Sequence, residues 1–125
     1  MNAITHFELP VSKDSREFYK TTFGWKTQDM PDMDYTMVYT TEVDDKYMPL
    51  NPGSINGGFM SVEQNGGTNP ILVIDVDSID EALKKVIDNG GRVIAEKHEV
   101  NGMGYYARFA DPAGVIMGIW ESIKK

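Results

Sequence analysis

His6 and Glu8 are the first residues of the chain whose types and spacing suit chemistry. They stand two apart in the alternating run ITHFEL (4–9), where Ile4, His6 and Glu8 share one face and Thr5, Phe7 and Leu9 the other. On one face an imidazole and a carboxylate can orient one another or serve as acid and base. His6 can equally be a pocket polar group or a histidine satisfied within a sheet, and Glu8 a solvated residue at a sheet edge. Tyr106 and Arg108 alternate with Ala107 and Phe109 in GYYARF (104–109). If the small and apolar pair faces a helix, Tyr106 and Arg108 face a ligand, and Arg108 is a fork for a carboxylate or phosphate, or the partner of Glu8 or Glu121. In the closing run Val115 to Trp120, Gly118 and Trp120 share a face. Glycine inside a strand marks a bulge, a close approach or empty space, here room beside an indole. His98, between Glu96 and Glu99, reads as surface.

Composition removes several mechanisms. There is no cysteine, which excludes disulfides, thiolate nucleophiles and sulfur-ligated metals. Lys and Arg number 12 against 19 Asp and Glu, and the net charge of −7 argues against nucleic acid or an anionic membrane as partner. Neither a signal segment nor an apolar run long enough to span a membrane is visible, so a cytoplasmic protein is expected. Phosphate loops, dinucleotide fingerprints and nucleophile elbows are absent from the sequence.

The elements that must position these groups follow from punctuation and period. Asp14 with Glu17 predicts a helix start and Gly24 its left-handed stop, with Trp25 as apolar partner behind it. Strands are predicted over Trp25 to about Gln28, Tyr35 to Thr41 and Ile55 to Val62, the last weakened by Gly57 and Gly58. Residues 42–54 read as a loop in which Tyr47, Met48 and Leu50 suit a lid, and 63–70 as a flexible connector. Ile71 to Val76 is a strand apolar on both faces. Ser78 and Glu81 cap a helix whose stripe is Ile79, Ala82, Leu83, Val86 and Ile87, ended by Gly90. Arg92 to Ala95 and Gly104 to Phe109 are strands, with 96–103 a connection between them. Asp111-Pro112-Ala113-Gly114 is then a turn into the last strand. The order β-α-β-β-β is thus written twice in one domain, module 1 over about 1–64, a connector at 65–69 and module 2 over about 70–125.

Phe109, Asp111-Pro112, Gly114 and GIWE (118–121) resemble the last hairpin of the vicinal oxygen chelate superfamily, which includes glyoxalase I, bleomycin resistance proteins and extradiol dioxygenases. HFELP (6–10), FYKTTFGW (18–25), INGGFM (55–60) and DVDSIDEALKKVIDNGG (75–91) are similar to other parts of small members, so the resemblance covers nearly the whole chain. It implies an α+β fold of two tandem βαβββ modules forming a curved, cup-like mixed sheet with helices outside. It also implies a small-molecule ligand inside and pairing as a homodimer. Metal-using members take four ligands, one from the first and one from the last strand of each module. By the resemblance these positions fall on His6, in or near Asn56 to Gly58, on Ile71 and on Gly118, of which only His6 is a usual ligand. The expectation is therefore a glyoxalase- or bleomycin-resistance-like binding protein without the usual metal site and without a cofactor, its pocket lined by His6, Glu8, Gly58, Tyr106, Arg108, Gly118 and Trp120. Whether it is also catalytic stays open. The alternative is a lyase, isomerase or dioxygenase using a divalent metal at a site displaced to Glu8, Glu63 or Glu121. An interaction module that regulates a partner is a third reading.

Overall fold

The βαβββ order is present twice in the computed structural model, which describes residues 1–30 and 33–123. The chain divides into two compact units, His6–Pro70 and Met1–Thr5 with Ile71–Lys125. In the first unit β1 (Ile4–Pro10) contributes from His6 onward, followed by α1 (Lys13–Phe23), β2 (Lys26–Met30), β3 (Tyr35–Tyr39), β4 (Asn56–Met60) and the short α2 (Val62–Asn65). Its strands lie in the order β2-β3-β4-β1, with β1 parallel to β4 and the other pairs antiparallel. In the second, β5 (Ile71–Asp75), α3 (Ile79–Asp88), β6 (Arg92–Val100), β7 (Gly104–Ala110) and β8 (Ile116–Ser122) give the order β5-β8-β7-β6. Again the first and last strands are parallel and the rest antiparallel.

Each unit packs one sheet face on its long helix. In the first, Phe59 is fully buried and packs against Tyr19 of α1 and against Trp25, whose indole stacks on Tyr19 with ring centres 5.0 Å apart. Gly24, at φ 72°, turns the chain out of α1 and brings Trp25 back onto it. In the second, Ile79 of α3 forms a core with Ala107 and Ile119, joined by Ala82, Leu83 and Phe109. That contact fixes the alternation on β7: Ala107 and Phe109 face the helix, so Tyr106 and Arg108 occupy the opposite face.

Several elements differ from the sequence reading. The cap of α1 is Ser12, whose hydroxyl accepts the Ser15 N–H at 3.2 Å, and Asp14 lies inside the first turn. Residues 62–65 are helical because Ser61 caps Gln64, so the supposed connector begins as α2. Strand β6 runs on to Val100 through residues read as a connection. It pairs only with β7, and a strand at the end of the order tolerates polar residues on both faces. The 42–54 segment is a turn-rich loop closed by a bridge between Val43 and Pro49. In it Asp44 accepts the Lys46 and Met48 N–H groups, and Tyr47, Met48 and Leu50 are exposed.

Candidate functional site

In the first unit the sheet face opposite α1 carries His6 and Glu8 on β1, Asn56 and Gly58 on β4, and Tyr35 and Met37 on β3. The register makes them neighbours: Glu8 pairs with Gly58, His6 with Asn56, and Met37 with Gly58. A 2.7 Å hydrogen bond joins His6 Nε2 to the Tyr35 hydroxyl. Burial lowers the His6 pKa from 6.5 to about 4, so the ring is neutral at physiological pH. Glu8 is 6 % exposed. Asn56, 8 % exposed, spends its side-chain oxygen on the Thr40 and Thr41 N–H groups at 2.7 and 3.2 Å, anchoring the start of the loop.

Gly58 is not a gap. A Cβ there would fall on the Tyr35 hydroxyl and ring, so the phenol fills the space a side chain at 58 would need. The second unit repeats the arrangement. Gly118 pairs with Val73 and Arg108, and a Cβ on Gly118 would stand 2.7 Å from the Tyr106 hydroxyl. Tyr35 lies two residues before Met37, the partner of Gly58, and Tyr106 two residues before Arg108, the partner of Gly118. The tyrosines therefore occupy the same register position in both modules. The Tyr106 hydroxyl also accepts the Arg108 Nε–H at 2.7 Å.

The expectation of room beside the Trp120 indole is corrected by this geometry. Tyr106 covers Gly118, while the indole lies over Gly104, whose missing Cβ leaves it a bed, and donates its N–H to Ser122 at 3.0 Å. His98, read as surface, is exposed as expected but sits edge-on to Tyr106 with ring centres 5.9 Å apart. Sequence reasoning missed Tyr35. Its signal was the shared tyrosine position, visible only once strand register is known.

The fit of a metal can be tested on these residues. The same register that pairs Gly58 with Glu8 and Gly118 with Val73 makes Ile71 the counterpart of His6, two residues earlier on each strand. Of the positions that the resemblance implies, Gly58, Ile71 and Gly118 supply no side-chain donor, and His6 engages Nε2 with Tyr35. Among the described residues no group of three or more His, Cys, Asp or Glu stands together to hold an ion. Of the substitutes, Glu63 lies on the exposed side of α2 and Glu121 accepts the Ile79 N–H at 2.8 Å at the start of α3, while Glu8 stays on the face of His6. The donor set does not fit the usual metal.

A sequence profile described as bleomycin resistance protein-like N-terminal matches residues 3–41. The chain is 27% identical over 115 residues to CFP32 of Mycobacterium tuberculosis, a protein named as a proposed glyoxylase, covering 86% of this chain and 40% of that protein. It is 29% identical over 121 residues to the anthracycline biosynthesis protein DnrV of Streptomyces peucetius, covering 86% and 42%. The chain thus spans about 40% of the length of the curated relatives it matches. Its fold matches that of a hypothetical protein from Bacillus halodurans, with a TM-score of 0.66 at 20% identity over 99% of this chain and 96% of the other. Methylmalonyl-CoA epimerase from Mycobacterium tuberculosis gives 0.61 at 14% identity over 97% and 88%.

Proposed function

We propose, from a profile match, relatives and solved structures that together point to the vicinal oxygen chelate superfamily, that this chain is a glyoxalase- or bleomycin-resistance-like module that binds a small organic molecule without the usual metal. The observation that carries the reading is the repeated tyrosine over glycine at Gly58 and Gly118, which replaces two ligand positions with an aromatic wall. Each unit offers candidate ligand-facing groups of its own: His6, Glu8 and Tyr35 over Gly58 in the first, and Tyr106 over Gly118, Arg108 and Trp120 in the second. Aromatic rings with a few fixed polar groups suit a largely apolar ligand. His6 supports binding over proton chemistry, because a ring with a pKa of about 4 is a weak base at neutral pH, where catalysis favours one near 7. It serves as a fixed hydrogen-bonding group.

The names of the profile and of one relative suggest two probes, bleomycin and an anthracycline. Each is titrated into the purified chain with calorimetry and tryptophan fluorescence, before and after loading with nickel, zinc or iron. Saturable binding of either probe that is indifferent to metal and weakened by Tyr106→Ala supports the reading. Stoichiometric metal uptake that His6→Ala abolishes, or turnover of a methylglyoxal–glutathione adduct on metal loading, overturns it in favour of a metal-dependent enzyme.

A further inference from the structure

The helix-bearing side of the first unit contains a second polar site, away from the face just described. α1 lies across a sheet face and should turn an apolar stripe toward it. Along one face it does the reverse: Lys13, Arg16, Glu17 and Lys20, spaced i, i+3, i+4 and i+7, line a cleft of about 350 Å³ over Thr27 and Asp29 of β2 and Thr36 of β3. No residue of α1 is fully buried. The space where core would be expected is polar.

Arg16 is the centre of this cleft. One terminal nitrogen donates to the Thr36 hydroxyl at 2.9 Å, Thr36 donates to Asp29 at 2.9 Å, and the guanidinium lies 5.9 Å from the centre of the Phe59 ring. Its Nε–H is buried and has no hydrogen-bond partner among the described residues. A buried donor without an acceptor is costly, and a guanidinium left so presents its planar fork to an oxyanion. The lining carries Lys13, Arg16 and Lys20 against the carboxylates of Glu17 and Asp29, a local charge of +1 in a chain of net charge −7; Glu17 is paired with Lys20 at 3.2 Å and Asp29 accepts the Thr36 hydroxyl while keeping its charge.

We infer that this cleft binds a small oxyanion, a phosphate or a carboxylate, at the Arg16 guanidinium, with Lys13 adding charge and Thr27 a hydroxyl. The inference is independent of the function proposed for the other face. The test uses the full chain labelled with nitrogen-15, in which the arginine Nε–H resonances are followed while sodium phosphate, sodium acetate or sodium chloride is added at matched ionic strength. The Arg16 Nε–H is expected to shift saturably with phosphate, acetate or both, and not with chloride; the arm that saturates identifies the source. Arg16→Lys, which keeps the charge and removes the Nε–H, should weaken binding about tenfold. If Arg16→Lys does not fold, Lys13→Gln and Thr27→Val carry the test, each weakening binding measurably. A shift that is linear and equal in all three salts, or binding unchanged in these variants, overturns the inference.

Discussion

Adding a single methyl group at Gly58 tests the central geometry. In Gly58→Ala the new Cβ would coincide with the Tyr35 hydroxyl and adjoining ring carbons. A planar ring with two side-chain torsions cannot bend aside, so Tyr35 must swing away as a body and give up its 2.7 Å bond to His6. Overpacking of this kind costs about 1–3 kcal/mol and the lost hydrogen bond about 1 kcal/mol. The sum, about 2–4 kcal/mol, corresponds to a fall in Tm of roughly 6–20 °C for a chain of this size. Chemical denaturation of the wild type, Gly58→Ala, Tyr35→Ala and the double variant gives the coupling directly. In the double variant the obstructing ring is gone, so its loss should fall short of the sum of the single losses by about 1–3 kcal/mol. Gly58→Ala costing less than about 0.5 kcal/mol, or costs that simply add, would refute the claim that Tyr35 fills the position of a side chain at 58.

The corresponding Gly118→Ala change should be milder, about 1–2 kcal/mol by urea unfolding, because the Tyr106 hydroxyl stands 2.7 Å from where the new methyl would lie and has less far to yield. His6 makes stability depend on pH. Its folded pKa of about 4 lies below the 6.5 of the free side chain, so as pH falls the unfolded chain takes up the proton first. Stability should be full above pH 6.5 and decline by about 3 kcal/mol as pH falls to 4, and the decline should flatten in His6→Gln; identical pH profiles for the two proteins would count against it. Glu121→Ala should cost about 1–2 kcal/mol by removing the carboxylate that accepts the Ile79 N–H at 2.8 Å, whereas Glu121→Gln, which keeps an acceptor, should cost less. Equal losses in the two variants would leave Glu121 with a packing role only.

What could be read from the sequence was what local period and punctuation encode. The stripe that begins at Ile79, the Ser78 cap and the Gly24 stop each declare themselves within one or two turns; the cap and the stop are present, and the stripe packs through Ile79, Ala82 and Leu83 but leaves its last member, Ile87, exposed. At α1 the Asp14–Glu17 pair was the only start read from the sequence, whereas Ser12, extended at ψ 169°, caps the helix by accepting the Ser15 N–H. The Ser61–Gln64 cap was also written in the sequence and was hidden by the glycines that follow it. β6 was cut short because Glu96 to Glu99 have no apolar alternation. The alternation of Ala107 and Phe109 against Tyr106 and Arg108 was legible, since small and apolar residues go under a helix. Which atom stands over Gly58 or Gly118 was not, because it depends on cross-strand register, a relation between segments that no local window contains.

That register also decides how each glycine is covered. A missing side chain on a buried sheet face leaves a cavity or invites water, and either weakens the face. Here both glycines carry a tyrosine at the same relative position, one from β3 and one from β7, so the two modules meet the same packing problem with the same residue type. A glutamate placed at Gly58 alone would collide with Tyr35. The glycine and the tyrosine are thus one unit of structure.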